Sequence, residues 1–254
     1  MTSVPAEDAA IAAELAALAR GTAPELWQFA SLAGAHQYLG LYRLWRRHVQ
    51  AGVAALDWGA GNGHFSYFLL RAGYRATAYS FESPGFARWL PAGDYRFVAA
   101  DAREPRRLPF ADAAFDAVAS VGVLEHVREK GGDEAASLAE IARVLKPGGV
   151  FVCWHLPTRW SWIDFGARLV PGAGRHAWRY TPADARRLAT GAGLEIIESG
   201  RYGLLPRNIV HRLLGAAADT PRAAALWDAA DAALGAVLAP IAQNLYFVAR
   251  RPTA

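Results

Sequence analysis

The chain has 254 residues, with 27 Lys and Arg against 23 Asp and Glu for a formal net charge of +4, and is 53% hydrophobic and 20% charged. That balance excludes the disordered class, and a chain this long buries a sizeable core without covalent staples. Its single cysteine, Cys153, excludes an internal disulfide scaffold and a cysteine-rich zinc cluster, which fits a reducing compartment.

The first ten residues carry Glu7 and Asp8 and no basic side chain, the wrong sign for the start of a signal peptide. Residues 5–20 and roughly 24–50 place apolar side chains at helical spacing, with Leu41, Leu44, Trp45 and Val49 separated by arginines, and predict a helical opening. From residue 53 the character changes. Short apolar runs at 53–56, 75–81, 96–100, 115–120 and 150–154 alternate with helical patterns, which predicts a parallel sheet with crossover helices. Ser83-Pro84 and Thr181-Pro182-Ala183-Asp184 each read as an N-cap followed by proline in the first turn. Leu138, Ile141, Ala142 and Leu145 form one face of an amphipathic helix that closes at Lys146-Pro147-Gly148-Gly149. Residues 194–200 and 244–250 read as further strands with an alanine-rich helix between them. The simplest account is an α/β chain with a helical N-terminal extension, 1–50, and a main domain, 51–254.

The longest apolar run near the C-terminus, 232–242, is closed by Asp231 and Gln243 and falls short of the ~20 residues of a membrane span. A cytoplasmic protein with no membrane span is therefore expected. The sequence pI of about 9.4 invites a nucleic-acid reading. Apart from pairs such as Arg46-Arg47 and Arg106-Arg107, however, the basic residues are dispersed, as on a solvated surface.

The informative stretch is Asp57-Trp58-Gly59-Ala60-Gly61-Asn62-Gly63, which follows the run at 53–56 and precedes a helical pattern at 64–71. Alternate glycines let a backbone turn tightly and approach a ligand, and the following helix start offers N–H groups and a positive dipole end. A nucleoside-bearing ligand suits such a loop. The dinucleotide fingerprint G-x-G-x-x-G is not met, because its third glycine position falls on His64 or, one repeat later, on Ser66. That argues against nicotinamide or flavin. About 20 residues on, the second run ends at Tyr79-Ser80-Phe81-Glu82, which puts Glu82 where a carboxylate can hold a ribose diol. The third ends at Asp101-Ala102, where an acid can accept from the exocyclic amine of a base. Any one acid at a strand end is most simply solvated or a cap for the next helix. Three in succession after a glycine loop point to a ligand.

These residues resemble the class I S-adenosylmethionine-dependent methyltransferases, small-molecule branch. The resemblance extends through Leu108-Pro109-Phe110-Ala111-Asp112, Phe115-Asp116-Ala117-Val118, Val123-Leu124-Glu125-His126-Val127 and Ile141-Ala142-Arg143-Val144-Leu145-Lys146-Pro147-Gly148-Gly149. It implies a Rossmann-like sheet of seven strands, mostly parallel with the last antiparallel, helices on both faces, and S-adenosyl-L-methionine as cofactor. By position, Asp57, Gly59, Ala60 and Gly61 would meet the methionine end of the cofactor and Glu82 the ribose. Asp101 and Ala102 would meet the adenine, and Val121 and Gly122 would line the cofactor from below. With a shorter connection Ser80 would align at the ribose in place of Glu82. Trp58 is bulky for a position where relatives carry small or aliphatic residues.

A sulfonium donor is already activated, so the protein chiefly aligns the nucleophile for in-line attack, and a base is optional. His126 and His155 are the candidate bases, although a structural Glu125-His126 pair is an equally ready reading. Residues 156–182 are expected to form a substrate lid, with Trp160, Trp178 and Tyr180 against the acceptor, and Tyr38 of the extension completing a cap over the site. The aromatic density points to an aromatic or apolar small-molecule acceptor, though ordinary core packing would also use it. Nucleic acid is not the expected substrate. Ser120-Val121-Gly122-Val123 stands where base amino-methylases carry Asn/Asp-Pro-Pro-aromatic, and Cys153 reads as core. No metal-ligand set is read from the sequence. The other readings are a non-catalytic binding or scaffold protein of the same fold and a nucleotide-dependent oxidoreductase.

Overall fold

The computed structural model describes residues 6–81, 88–169, 176–207 and 215–253. Helix α1 (Ala6–Arg20) has Glu7 and Asp8 in its first turn and Arg20 in its last, the charge order that suits a helix dipole. The helical pattern at 24–50 is not one helix. It divides into a 3-10 turn (Trp27–Phe29), α2 (Leu32–Ala35), a second 3-10 turn (His36–Tyr38) and α3 (Leu39–His48). The break lies at Ser31, whose extended backbone stops one segment while its hydroxyl accepts the Gly34 N–H and starts the next.

Strands β1 (Ala54–Trp58), β2 (Arg75–Ser80), β3 (Tyr95–Ala99), β4 (Phe115–Val121), β5 (Leu145–Pro157), β6 (Glu195–Tyr202) and β7 (Asn244–Arg250) alternate with helices α4 (His64–Arg71), α5 (Glu134–Val144), α6 (Trp162–Ala167), α7 (Pro182–Gly191) and α8 (Pro221–Leu238). They form one seven-stranded sheet in the order β3-β2-β1-β4-β5-β7-β6. Only β7 runs antiparallel, pairing with β5 and β6. This is the expected architecture. The capping box at Thr181 and Asp184 is also present and starts α7, while Ser83-Pro84 lies outside the described residues.

Successive strand residues face opposite sides. On one side Ala55, Ala76, Ala78, Ala117 and Ala119 present a shallow surface on which the large side chains of α1, α3 and α4 settle, with Tyr42 stacked on Phe68 at 4.1 Å. The helices of the N-terminal extension thus share a core with the sheet. On the other side Leu56, Val118, Phe151 and Phe247 pack against Leu138, Ile141 and Val144 of α5 and Ala185 and Ala189 of α7.

The strand order reverses between β2-β1 and β1-β4. In open α/β sheets a ligand binds beyond the carboxyl ends of the strands at such a switch point. The fold therefore places a site at the loops after β1 and β4.

The stretch Pro221–Ile241, which contains α8, is long and apolar enough to cross a membrane by length and composition, with a mean hydropathy of 1.4. The run is thus longer than the 232–242 read from the sequence, because it continues through Asp228 and Asp231. Both acids face the domain. Arg207 reaches Asp228 at 2.6 Å and Asp231 at 3.3 Å, His36 lies 2.7 Å from Asp228, and Asp231 accepts the N–H groups of Leu204 and Leu205.

Candidate active site

The loop after β1 needs its three glycines. Gly59, Gly61 and Gly63 all have left-handed backbone, at φ of 76°, 52° and 77°, a region costly for residues with a Cβ. The N–H groups of Gly59 and Ala60 both donate to the Tyr79 carbonyl, at 2.8 and 3.0 Å, which pins the loop to the end of β2. A Cβ on Gly59 would stand 2.5 Å from the Val123 side chain, whereas one on Gly61 would meet only the Gly59 carbonyl oxygen, at 3.7 Å. Gly59 is therefore closed in by protein and Gly61 opens on space.

Asp57 is only 1% exposed and does not form the wall of the cleft. It sits behind the loop and accepts the Ser66 hydroxyl at 2.6 Å, tying β1 to the first turn of α4. Burial pushes its carboxyl up to about 6, with the Ser66 bonds pulling the other way.

A cavity of about 300 Å³ lies between this loop, the end of β2 and the turn after β4. Trp58, Gly59 and Gly61 form one wall, Tyr79, Ser80 and Phe81 another, and Gly122, Val123 and His126 a third. The bulky Trp58 is thus part of the lining. Glu82 lies outside the described residues. Asp101 and Ala102 are exposed at the end of β3 and off this wall, and the Asp101 carboxylate turns back to accept the Arg103 N–H at 2.8 Å.

A second cavity, of about 180 Å³, opens beside the first. Gly122 and His126 belong to the walls of both. Val121, Tyr38, His64, Glu125, His155 and His176 complete its most distinctive surface. Tyr38 is stacked on Phe29 at 4.8 Å and lies 4.4 Å from the His64 ring and edge-on to His155 at 5.2 Å.

His155 has a left-handed backbone, φ 66°, unusual for a residue with a Cβ. It stands where the pairing of β5 with β7 shifts register. The Tyr202 hydroxyl accepts the His155 N–H at 2.9 Å and lies 2.8 Å from its Nδ1. Burial pushes the rings of His155 and His64 down to about 3, so both are neutral at ordinary pH. If Tyr202 donates to Nδ1, the His155 proton sits on Nε2, which makes that ring a donor.

His126 is half-exposed, with Nδ1 3.0 Å from a Glu129 carboxylate oxygen. Beside it Glu125 is 4% exposed, and burial raises its carboxyl to about 7, partly offset by His126 and His176. His176 is held by Asp164, 3.5 Å from its Nδ1, and that contact raises the imidazole above its ordinary value. Glu125, His64, His176 and Asp164 are the site residues that sequence reasoning missed as a group. The only signal for His176 was its place in the aromatic segment, about fifty residues from Glu125 along the chain.

Of the segment 156–182, the aromatics singled out lie away from both cavities. Trp160 is 66% exposed, and Trp178 lies under the Arg128 guanidinium, 4.4 Å from its ring centre. Tyr180 is buried and donates its hydroxyl to Glu134 at 2.6 Å, while Arg128 donates to the same carboxylate at 2.8 Å. This arrangement braces the turn carrying Glu125 and His126 against α5. Replacing Glu134 by Ala leaves the Tyr180 hydroxyl without its acceptor and is expected to cost about 2 kcal/mol, a fall in Tm of roughly 4–8 °C. An unchanged melting curve would show that the brace carries no stability. Cys153 is core: burial pushes its thiol well above its ordinary range, which removes it as a nucleophile.

Residues 56–153 match the family model of the methyltransferase domain. The chain is 37% identical over 138 residues to a demethylmenaquinone methyltransferase of Beutenbergia cavernae, covering 51% of this chain and 53% of the relative. It is 33% identical over 156 residues to the Streptomyces griseus enzyme of that name, covering 54% and 62%. It therefore spans little more than half the length of these curated relatives. Among solved structures, Burkholderia thailandensis 1,6-didemethyltoxoflavin-N1-methyltransferase, crystallised with 1,6-didemethyltoxoflavin and S-adenosylhomocysteine, superposes with a TM-score of 0.54 at 22% identity over 99% of this chain and 92% of its own. The [4+2]-cyclase SpnF superposes with a TM-score of 0.56 at 22% identity over 87% and 82%. The domain match begins within β1, takes in the glycine loop and the turn after β4, and ends in β5, so that this part of the chain is similar to the methyltransferase domain family.

Proposed function

We propose that this chain transfers a methyl group from S-adenosylmethionine in the larger cavity to a small aromatic molecule bearing oxygen in the smaller one. The observation that carries this reading is the shared wall: the two cavities meet at Gly122 and His126, so a donor in one and an acceptor in the other face each other.

The residues present fit the cofactor. Gly61 offers a cradle that a Cβ would fill, the end of β2 brings Ser80 and Phe81 to the wall, and Pro105 adds an apolar face for a base. Glu82 is retained as the proposed ribose ligand from its place in the sequence. Bound there, S-adenosylmethionine supplies an electrophilic methyl group, and the protein's contribution is alignment, which can supply several of the ~7–11 kcal/mol available from orientation.

On the acceptor side Tyr38 lines the cavity, packed on Phe29 and His64, and His155 is a neutral ring held by Tyr202. His126 is placed to take the proton that the acceptor loses. The lining of the smaller cavity by Trp27, Gln28, Gln37 and Tyr38 supports a capping role for the N-terminal segments on this side. The segment 156–182 contributes to the site through Asp164 and His176 more than through its tryptophans. The curated relatives named for demethylmenaquinone favour a quinol-type ring as acceptor. The single buried cysteine favours a cytoplasmic setting.

Calorimetric titration with S-adenosylhomocysteine and NAD tests the site, with micromolar binding of the first and none of the second expected. Incubation with S-adenosylmethionine and a soluble demethylated naphthoquinol should then yield a methylated product by mass spectrometry. Binding without transfer to any quinol or phenol tried would favour a non-catalytic role for the same fold. Binding of NAD alone would overturn the assignment.

A further inference from the structure

Where the two cavities meet, Glu125 and His126 on the turn after β4 come together with His176 from the chain beyond α6. One ligand atom from each lies within 4.8 Å of the others. Two imidazoles and a carboxylate on one side of a point, with the rest open to a cavity, form the donor set that binds first-row divalent ions while leaving positions for a further ligand.

The surroundings of the two rings match that chemistry. His126 Nδ1 lies 3.0 Å from Glu129, and His176 Nδ1 lies 3.5 Å from Asp164. The Glu129 carboxylate on one ring nitrogen of His126 fixes its tautomer and directs the lone pair of the other outward, the usual second layer around a metal-bound histidine, and Asp164 stands at ion-pair distance from the same nitrogen of His176. Asp164 is itself only 4% exposed, a burial not expected of a carboxylate serving only to solvate a surface ring. Donor atoms around an ion with bonds of ~2.1 Å stand about 3 Å apart, so the rings need to close by one to two ångströms in total. His126, on an exposed turn, has the freedom to do so.

We propose that Glu125, His126 and His176 form a divalent-cation site whose open positions face the smaller cavity and hold an acceptor presenting two neighbouring oxygens. The choice of acceptor rests on the methyl-transfer reading, whereas the cation site itself does not. With the ion bound, His126 is a ligand in place of a base, the hydroxyl on the ion gives up its proton to solvent more readily, and the chelated ring is fixed in orientation beside Gly122.

The test uses the full chain after dialysis against a chelator, with Co²⁺ as probe. One Co²⁺ per chain is expected by calorimetry, with visible absorption from nitrogen and oxygen ligands. His176→Ala and Glu125→Gln should each weaken binding by more than the ~10–100-fold typical of losing an outer partner, and Asp164→Asn should fall within that range. S-adenosylhomocysteine affinity in His176→Ala should equal wild type, which shows that the variant is folded. Failure to take up Co²⁺, or uptake unaffected by His176→Ala and Glu125→Gln, would overturn the site even where S-adenosylhomocysteine binds. Co²⁺ uptake without S-adenosylhomocysteine binding would leave the cation site standing and remove the methyl-transfer reading.

Discussion

Gly61→Val is expected to weaken S-adenosylhomocysteine binding by at least ~100-fold, equivalent to about 2.7 kcal/mol, while leaving a folded protein. A Cβ at this position meets only one protein atom within 4 Å, the Gly59 carbonyl oxygen at 3.7 Å, so the added isopropyl group occupies the cleft and not the core. The backbone there is left-handed, φ 52°, and holding a β-branched residue in it costs of order 1–3 kcal/mol, a loss visible as a lower Tm but too small to unfold a chain of this size. Gly59→Ala is the contrasting variant. Its methyl group would lie 2.5 Å from Val123, so the turn after β4 must shift, and both folding and binding should suffer. Wild-type affinity in Gly61→Val would remove the cleft as the cofactor site.

The two glycines show how far the sequence carries the argument. Their spacing after an apolar run announces a loop against a ligand, and the alternation of short apolar runs with helical patterns announces the parallel sheet, because both depend on neighbours along the chain. What the spacing does not carry is the direction each residue faces. Asp57, expected at the methionine end, lies behind the loop, since a carboxylate there can satisfy the Ser66 hydroxyl at 2.6 Å. Asp101 turns back on Arg103.

The same limit explains the lid. Tryptophan density marks 156–182 as special but does not say which rings face the acceptor. Trp178 is engaged by Arg128, and Tyr180 by Glu134, across 50 and 46 residues of sequence. The meeting of Glu125 and His126 with His176 is a tertiary event of the same kind. No local pattern predicts it, because His176 is brought back by tertiary contacts that include the pairing of Thr158 with Tyr180 at the base of the segment. The helical pattern at 24–50 misled for a local reason, since periodicity continues through Ser31 while the extended backbone at Ser31 interrupts the helix and its hydroxyl starts a new one.

Asp57→Asn is expected to make the unliganded protein more stable at pH 7.5, against the usual effect of changing a motif residue. The Asp57 carboxyl is pushed up to about 6 from an ordinary 3.8 by burial, so the folded state prefers it protonated. That preference contributes fully below about pH 3.8 and is lost as pH rises through 6, which makes ionised Asp57 cost as much as about 3 kcal/mol at neutral pH. Asparagine is neutral at every pH and still offers Ser66 a hydrogen-bonding partner. The stability difference between variant and wild type should therefore grow between pH 4 and 7 and level off above it, when both are followed by thermal or urea unfolding across that range. A difference independent of pH would show that burial does not govern this carboxyl. Affinity should move the other way. In the proposed binding mode the ammonium group at the methionine end of the cofactor would lie over Gly59 and Gly61 and gain from a negative charge just beneath the loop, so the variant should bind S-adenosylhomocysteine several-fold more weakly at pH 7.5. A buried charge that destabilises the empty fold and strengthens the liganded one is what a functional acid at this position requires.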